Sequence, residues 1–548
     1  MSARAGALGT AVVLAAACGG RPGPAVAPRP AAESAPAPAV AGPAVAETPP
    51  RPAVPGLSNT PAAFRTAVDS ILADPKWAAA QWGVLVVNPR TGDTLYSRNA
   101  GKLFLPASNQ KIITGAVALA RLGADYRWRT AVAVEGLAGV RADRGVVRGD
   151  LYVVGSGDPT VSEAMQHGDA MAPLRLLADS IWARGVRRIE GDVVAREDPR
   201  APDGPWKFGW EWDDLDTPSG AGVTELLFNE GVARVAVYGG ARAGAPARVV
   251  VRPTPGALPL DTSAGSGVRT VAAADSAAPR VSAAWDYDAR RYHLRGAVAA
   301  GDSVVVELGV HDPRRAYAGA LADALRARGI VVDGRRDPGG GQPGPAARLD
   351  TLAVLTSAPL RDVLPAMEKP SQNQIAEALF LTLGRSGTGV ASGDSARRVV
   401  GDQLRAWGAE PERDAAVRDG SGLSRHDYAS PAALVRVLDG ARRLPGFRVF
   451  YDALPVAGVD GTLGARLRGT RAAGRVHAKT GSIDRVRGLS GYAATADDEL
   501  LVFSLLCNNF TAPAAEVTRA QDAIAERMAE LRARDPRGTP PFASAVPR

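Results

Sequence analysis

A serine and a lysine separated by two residues form the first pair in this chain that could do chemistry. Ser108 and Lys111 stand at the start of an apolar run that begins with Ile112. If a helix starts at Ser108, the i, i+3 spacing places the lysine amine beside the serine hydroxyl. A serine hydroxyl becomes an effective nucleophile when a neighbouring base takes its proton. The pair therefore predicts nucleophilic catalysis through a covalent intermediate on Ser108.

The scarcity of lysine makes this spacing more informative. The chain has 65 lysine and arginine residues, and the lysines are only Lys76, Lys102, Lys111, Lys207, Lys369 and Lys479. An arginine side chain stays protonated, whereas the amine of a buried lysine can lose its proton and act as a base. Lys111 is therefore predicted to be the general base for Ser108.

Two further short motifs follow in the chain, Ser371-Gln372-Asn373 and Lys479-Thr480-Gly481. Taken singly, each has an ordinary structural explanation: Ser371 could cap the following helix, a role we also expect it to have, and Lys479 could end a strand. Together with Ser108 and Lys111 they form, in this order, the S-x-x-K, S-x-N and K-T-G set of serine penicillin-binding proteins and β-lactamases.

The first 57 residues have the pattern of an exported protein. In residues 1–18, Arg4 precedes a run of small, mostly apolar residues that is too short to cross a bilayer and is typical of a secretory signal peptide. The run ends at Cys18 in a sequence similar to a bacterial lipobox, which predicts lipidation there; the alternative is a cleaved signal with an incidental cysteine. Residues 19–57 are rich in alanine and proline and predict an extended tether. We expect a periplasmic or cell-envelope protein that contacts the membrane only through this anchor.

Composition also excludes several function classes. The net charge is +8, but the arginines are spread along the chain among acidic residues and form no basic stripe, so no nucleic-acid partner is predicted. With five histidines, two cysteines and no H-x-x-x-H pattern, the sequence predicts no metal and no cofactor. A Ser-His-Asp hydrolase is disfavoured because the chain has no G-x-S-x-G motif.

The length of 548 residues predicts more than one domain. We expect an α/β (α+β) catalytic domain split in sequence by a large, mostly β insert of one or two domains. The predicted boundaries are 58–128 and 346–533 for the two catalytic parts, 129–345 for the insert, and 534–548 for a disordered tail. Within the insert, residues 232–238 predict a strand, and residues 316–328 predict one helix that ends before a glycine. In the second catalytic part, residues 431–442 predict a helix and residues 500–508 a strand.

The chain resembles the class C low-molecular-mass penicillin-binding proteins, the D-alanyl-D-alanine carboxypeptidase/endopeptidase family. Besides the three motifs, residues 149–160, 419–425 and 454–463 carry the resemblance, and Gln372 departs from it by replacing the more usual aspartate. The resemblance implies a β-lactamase/transpeptidase-like fold. It also implies a serine D-Ala-D-Ala carboxypeptidase, with possible D,D-endopeptidase activity, that acts on peptidoglycan peptides and is acylated by β-lactams.

Roles can be assigned to the motif side chains. Lys111 is expected to take the proton of Ser108, and the positive charge of Lys479 is expected to help keep Lys111 neutral. Ser371 is expected to relay the proton towards the leaving nitrogen. Asn373 is expected to hold Lys111 and a carbonyl group of the substrate.

Substrate binding is assigned to the strand that carries the third motif. Lys479 and the Thr480 hydroxyl are expected to bind the terminal carboxylate, with Gly481 on the same strand. By resemblance, the backbone N–H groups of Ser108 and Ser482 form the oxyanion hole. In the family context, Arg425 is a candidate contact for an acidic group on the substrate side chain.

Two other functions stay open at this point. A non-catalytic peptidoglycan-binding envelope protein could share the fold, but it would not need Ser108, Lys111 and Lys479 together. A β-lactamase would share the chemistry, but it would need rapid hydrolysis of the acyl-enzyme and does not explain the long insert.

Overall fold

The computed structural model describes residues 60–136, 145–197, 200, 203–261, 267–272, 281–334 and 349–532. The predicted signal peptide with Cys18, the tether, the tail and the predicted domain edge at residue 345 lie outside these residues. In the part of the chain that is described, no helix is both long enough and apolar enough to cross a membrane.

The α-helices of the described residues are α1 Pro61–Leu72, α2 Gln110–Leu122, α3 Ala172–Ala183, α4 Pro313–Arg328, α5 Leu360–Glu368, α6 Asn373–Thr388, α7 Gly393–Ala406, α8 Pro431–Arg442, α9 Phe447–Ala453 and α10 Ala514–Glu530. The first helix shows how local sequence sets these limits. Thr60 caps α1 by accepting a hydrogen bond from the backbone N–H of Ala63, and Pro61 occupies the first helical position, where its missing N–H is tolerated.

The strands are β1 Gln81–Val87, β2 Thr94–Arg98, β3 Arg129–Glu135, β4 Val146–Val147, β5 Leu151–Val154, β6 Arg188–Ile189, β7 Val193–Arg196, β8 Val232–Tyr238, β9 Arg248–Arg252, β10 Val268–Val271, β11 Val281–Asp286, β12 Arg291–Ala299, β13 Ser303–Gly309, β14 Val331–Val332, β15 Leu349–Thr356, β16 Ala415–Ala416, β17 Tyr428–Ala429, β18 Val476–Ile483, β19 Val486–Ala494 and β20 Leu500–Asn508.

A five-stranded antiparallel sheet joins the two ends of the described chain, in the order β18-β19-β20-β1-β2. Both of its faces are covered, which explains the continuous apolar run of β20. Leu501, Phe503 and Leu505 pack in a core with residues of α1 and α10, whereas Val502 and Leu506 pack in a second core with residues of α2, α5, α6 and α8. This alternation follows from the two-residue period of a strand.

Helix α2 is the central element of the second core. Its residues from Gln110 to Leu119 are all buried, as expected for a helix surrounded by protein on every side. A single 3₁₀ turn, Ala107–Asn109, precedes it, and Gly123 ends it with a positive φ of 80°. Ser108 therefore lies in the short turn before the buried helix.

The long segment between α2 and α5 forms its own sheets and cores. Strand β15 pairs with β3 in a four-stranded sheet, β15-β3-β5-β7, and this sheet packs with α3 and α4 in one core. Two three-stranded sheets, β13-β8-β9 and β10-β12-β11, enclose another core. We propose that the insert extends from β3 to β15, because the strand after the predicted edge pairs within it.

The helices of this insert differ partly from prediction. Helix α4 ends at Arg328, and Gly329 follows in the left-handed conformation with a φ of 95°, as the sequence indicates. Helix α3 was not predicted. Its apolar residues, among them Leu174, Leu177 and Ile181, recur at helical spacing and are buried against α4 and the four-stranded sheet.

Candidate active site

The amine of Lys111 lies at the centre of a buried hydrogen-bond cluster. Its Nζ atom is 3.1 Å from Ser108 Oγ, 2.6 Å from Asn373 Oδ1 and 2.9 Å from the Ser421 carbonyl oxygen. The side chain is fully buried in α2. The cluster thus joins the first two motifs to a loop, residues 419–427, that lies between β16 and β17.

The third motif reaches the same place from the sheet. On β18, Lys479 is fully buried, and its Nζ atom donates to Ser371 Oγ at 2.8 Å and to the Thr480 carbonyl at 3.1 Å. Asn109, beside Ser108, donates through Nδ2 to the Lys479 carbonyl at 3.2 Å. The structure therefore brings Ser108, Lys111, Ser371, Asn373 and Lys479 together.

The expected capping role of Ser371 is wrong. The N-cap of α6 is Gln372, whose Oε1 accepts hydrogen bonds from the backbone N–H groups of Gln374 at 2.6 Å and Ile375 at 3.2 Å. Ser371 has a φ of 66°, a conformation that is uncommon for a residue with a side chain. Its hydroxyl contacts Lys479 instead.

Burial is the main influence on the two lysines. It lowers the pKa of Lys111 to about 8, while the nearby carboxylates of Asp419, Glu368, Glu377 and Asp427 oppose that shift. Burial also lowers the pKa of Lys479, and the positive charge of Lys111 adds to this effect. Desolvation is therefore the main cause of the lowered pKa of Lys111, ahead of the expected help from the positive charge of Lys479.

The other residues predicted on β18 differ in exposure. Thr480 donates through its hydroxyl to Thr462 Oγ1 at 2.7 Å. Gly481 is buried, and a Cβ atom there would lie 2.6 Å from the Pro106 carbonyl oxygen. Ser482 is exposed. Gly481 therefore lets the strand approach the turn that carries Ser108.

The insert contributes to this region as well. Asn373 donates through Nδ2 to the Ser219 carbonyl of the insert at 3.0 Å. Arg425 pairs with Glu211 of the insert, with Nη2 and Oε2 3.1 Å apart, and also donates to the Asp484 carbonyl at 3.2 Å. Side chains from the insert and from the catalytic part thus form two sides of one cleft.

The cleft has a volume of about 580 Å³. The predicted residues that line it are Ser108, Ser371, Asn373, Arg425 and Ser482. The insert adds acidic residues to its wall, namely Glu211, Asp213 and Asp214.

Sequence reasoning gave no role to the residues that hold the 419–427 loop. Asp419 accepts hydrogen bonds from the backbone N–H groups of Ser421 at 3.0 Å and Gly422 at 2.6 Å. Glu377 of α6 accepts a hydrogen bond from Ser421 N–H at 2.8 Å. These contacts fix the Ser421 carbonyl that receives the Lys111 amine. The segment 419–425 was a sequence signal, but its contact with Lys111 depends on tertiary packing.

A substitution at Gly422 should destabilise the protein. Its φ is 82°, and an added Cβ would lie 1.9 Å from the carbonyl oxygen of Ala107, the residue before Ser108. Gly408 is a matched control, since its φ is 80° and nothing lies within 4 Å of an added Cβ. We expect Gly422→Ala to lower the free energy of unfolding by about 1–3 kcal/mol more than Gly408→Ala, measured by urea denaturation. Equal losses would mean that the loop yields without displacing Ala107.

Comparison with known proteins places this arrangement in a family. The chain is 36% identical over 483 residues to a D-alanyl-D-alanine carboxypeptidase from an Actinomadura species, covering 85% of this chain and 84% of the relative. It is 26% identical over 452 residues to a D-alanyl-D-alanine carboxypeptidase from Haemophilus influenzae, covering 78% of this chain and 85% of the relative.

A solved structure shares the fold of this chain. The crystal structure of penicillin binding protein 4 from Haemophilus influenzae matches with a TM-score of 0.66 at 24% identity, covering 84% of this chain and 97% of that one. The predicted fold class and the predicted resemblance are therefore confirmed. The family match extends over residues 64–531. This chain belongs to the D-Ala-D-Ala carboxypeptidase 3 (S13) family.

Proposed function

We propose that the chain is a serine D-Ala-D-Ala carboxypeptidase that acts on peptidoglycan stem peptides through an acyl-enzyme on Ser108. The observation that carries this proposal is the distance of 3.1 Å between Lys111 Nζ and Ser108 Oγ, because it places a buried amine beside a hydroxyl that lines the cleft. The named activity of the curated relatives supports the choice of substrate.

Acylation follows from these contacts. The neutral amine of Lys111 takes the proton of the Ser108 hydroxyl as Oγ attacks the carbonyl carbon of the penultimate D-alanine. The C–N bond to the last D-alanine breaks, and its nitrogen needs a proton in order to leave. Ser371 lies beside Lys479 at 2.8 Å and lines the cleft, so it can relay to that nitrogen the proton that Lys111 took from Ser108.

The remaining predicted residues hold the substrate. Ammonium Lys479 and the Thr480 hydroxyl bind the terminal carboxylate, while the N–H groups of Ser108 and Ser482 stabilise the oxyanion. The Asn373 amide nitrogen carries two N–H groups, so one can bind Ser219 and the other a substrate carbonyl. Arg425 lies in the cleft wall, where it can bind an acidic group of the stem peptide.

A water molecule then hydrolyses the ester on Ser108 and releases the shortened peptide. A β-lactam presents a strained amide in place of the D-alanine peptide bond, and it acylates the same oxygen. The related protein from Haemophilus influenzae has been crystallised in complex with a β-lactam, which supports this expectation.

The test uses residues 58–548, which omit the predicted signal peptide and tether, incubated with a disaccharide pentapeptide that ends in D-Ala-D-Ala. We expect release of one D-alanine per peptide, measured by chromatography, and a benzylpenicillin adduct that peptide mapping places on Ser108. An inert protein with no adduct would leave the peptidoglycan-binding alternative. Rapid hydrolysis of benzylpenicillin without an adduct would indicate a β-lactamase.

The rate of acylation should depend on pH in a defined direction. Lys111 must be neutral, so the rate of adduct formation should rise with pH as this lysine, whose pKa burial lowers to about 8, loses its proton. One lysine of the pair must stay protonated to bind the carboxylate, so the rate should fall again at higher pH. Burial lowers the pKa of Lys479 as well, so the two limbs belong to the pair and both lie below the pH at which a free lysine titrates. Single-turnover rates between pH 5 and 11 test this, and a flat profile would contradict it.

We infer that the mature protein is exported and held at the membrane by a lipid on Cys18, as residues 1–18 indicate. Metabolic labelling of the full chain with an azido fatty acid tests this inference. We expect labelling of the parent and none of Cys18→Ala, whereas equal labelling of both would contradict it.

A further inference from the structure

The mechanism above gives no role to the buried carboxyl group of Glu368. Glu368 is the last residue of α5, three positions before Ser371, and its side chain is 0% exposed. Neither of its carboxyl oxygens has a hydrogen-bond partner among the described residues. Burying a carboxyl group without hydrogen-bond partners destabilises the folded state. We therefore expect Glu368 to have a function in the active site that offsets this cost.

The carboxyl group packs on the face of α2 that carries Lys111. A Cβ atom built at Gly115 would lie 2.8 Å from Glu368 Oε1, and Gly115 follows Lys111 by one helical turn on the same face. The missing side chain of Gly115 thus leaves room for the carboxyl group below Lys111. Met367 and Phe450 fill the rest of this space.

The charges around Glu368 are those of the two active-site lysines. Burial raises the pKa of Glu368, whereas the positive charges of Lys479 and Lys111 lower it. The carboxylates of Asp419, Glu377 and Asp427 raise the pKa of Lys111, as Glu368 does.

Lys479 differs from Lys111 in this respect. The charges that act on its pKa are Lys111, which lowers it, and Glu368, which raises it. Glu368 also lies three residues before Ser371, whose hydroxyl accepts from Lys479 at 2.8 Å, so its carboxyl group is placed to favour a protonated Lys479.

We propose that Glu368 is a positioning residue that supplies a buried negative charge to the pair Lys111 and Lys479, so that one of the two lysines stays protonated while the other is neutral. An ionised Glu368 favours the protonated form of a lysine in this desolvated place, where two unpaired ammonium groups would be unfavourable. The proposal rests on the roles given to Lys111 and Lys479 under the proposed function.

Glu368→Gln tests this by removing the charge while keeping the shape. We expect the alkaline limb of the profile of kcat/KM against pH, with a D-Ala-D-Ala peptide, to move to lower pH by about one unit or more. At pH 8 the KM should rise by a larger factor than kcat falls, because binding of the carboxylate needs the ammonium of Lys479. Met367→Leu is the matched control: it changes the neighbouring buried side chain that also contacts the Gly115 site, and it should leave both limbs in place.

A second measurement does not depend on activity. The chain has few lysines, so carbon-13 NMR of protein labelled at the lysine ε-carbon can follow Lys479, assigned with Lys479→Met. We expect its titration midpoint to fall by about one pH unit in Glu368→Gln. If Glu368→Gln does not fold, Glu368→Met, which is also uncharged and similar in volume, takes its place.

The outcomes separate this proposal from the proposed function. An unchanged Lys479 midpoint and an unchanged alkaline limb in a folded Glu368 variant would overturn the role of Glu368, even if the parent releases D-alanine. A parent that neither releases D-alanine nor forms an adduct would contradict the proposed function, while the NMR midpoint would still decide whether Glu368 is the counter-charge.

Discussion

Replacing Ser108 with alanine should abolish the benzylpenicillin adduct and lower D-alanine release by about four to six orders of magnitude. The substitution removes the only atom that the proposed mechanism acylates, while Lys111, Asn373 and the Ser421 carbonyl can keep their mutual contacts. Because these groups act as a unit around one oxygen, losing that oxygen removes the benefit of the others. The measurement is intact-protein mass spectrometry with benzylpenicillin, together with chromatography of the peptide products.

The control for Ser108→Ala is a serine outside the cleft. Ser97, on β2, is exposed, and Ser97→Ala should form the adduct at the parent rate. A Ser108→Ala protein that still gains one benzylpenicillin per chain would place the acyl group on another residue. Ser371 would then be the first to examine, since it also lines the cleft and contacts Lys479.

Several elements could be predicted from local sequence because their patterns are set by near neighbours. The strand 232–238, the helix 431–442 and the strand 500–508 have the predicted limits. The helix has apolar residues at helical spacing, the two strands are short and mostly apolar runs, and turn or capping residues bound these elements. Ser430, for example, caps α8 by accepting a hydrogen bond from Ala433 N–H.

Contacts between distant segments could not be predicted in the same way. The short sequence motifs indicated which side chains meet, but not that Ser219 of the insert accepts from Asn373 or that Glu377 holds Ser421. Glu368 looks in the sequence like an ordinary acidic residue near a helix end. Only the packing of α5 against Gly115 makes it a buried charge beside two lysines.

Gln372 shows a third reason why sequence alone does not predict the site, namely the choice of the residue that caps a helix. In the sequence, Gln372 only departs from the family's more usual aspartate, and Ser371 is the predicted cap. A glutamine side chain can reach the N–H groups of Gln374 and Ile375, which leaves the Ser371 hydroxyl available to Lys479. The choice between two adjacent polar residues depended on the backbone angle at Ser371, which sequence does not reveal.

Lys111→Arg should lower the rate of acylation by benzylpenicillin by about 10²–10⁴-fold, since it keeps a cation but removes the base. Burial lowers the pKa of the Lys111 amine to about 8, so a useful fraction is neutral at physiological pH. A guanidinium cannot lose its proton in this range. The measurement is the single-turnover rate of adduct formation, and Lys102→Arg, at an exposed site, should keep the parent rate.

Lys111→Met separates loss of the base from the larger size of arginine. Methionine is an unbranched side chain that fits a buried space and has no amine, so both variants should lose the rate by similar factors if the base is what matters. The rise of the rate with pH through about 8 should also disappear in both, because the titrating group is gone. If Lys111→Met is acylated as fast as the parent, the base is not Lys111. The base would then be assigned to the pair Ser371 and Lys479, whose 2.8 Å contact provides an alternative path for the proton of Ser108.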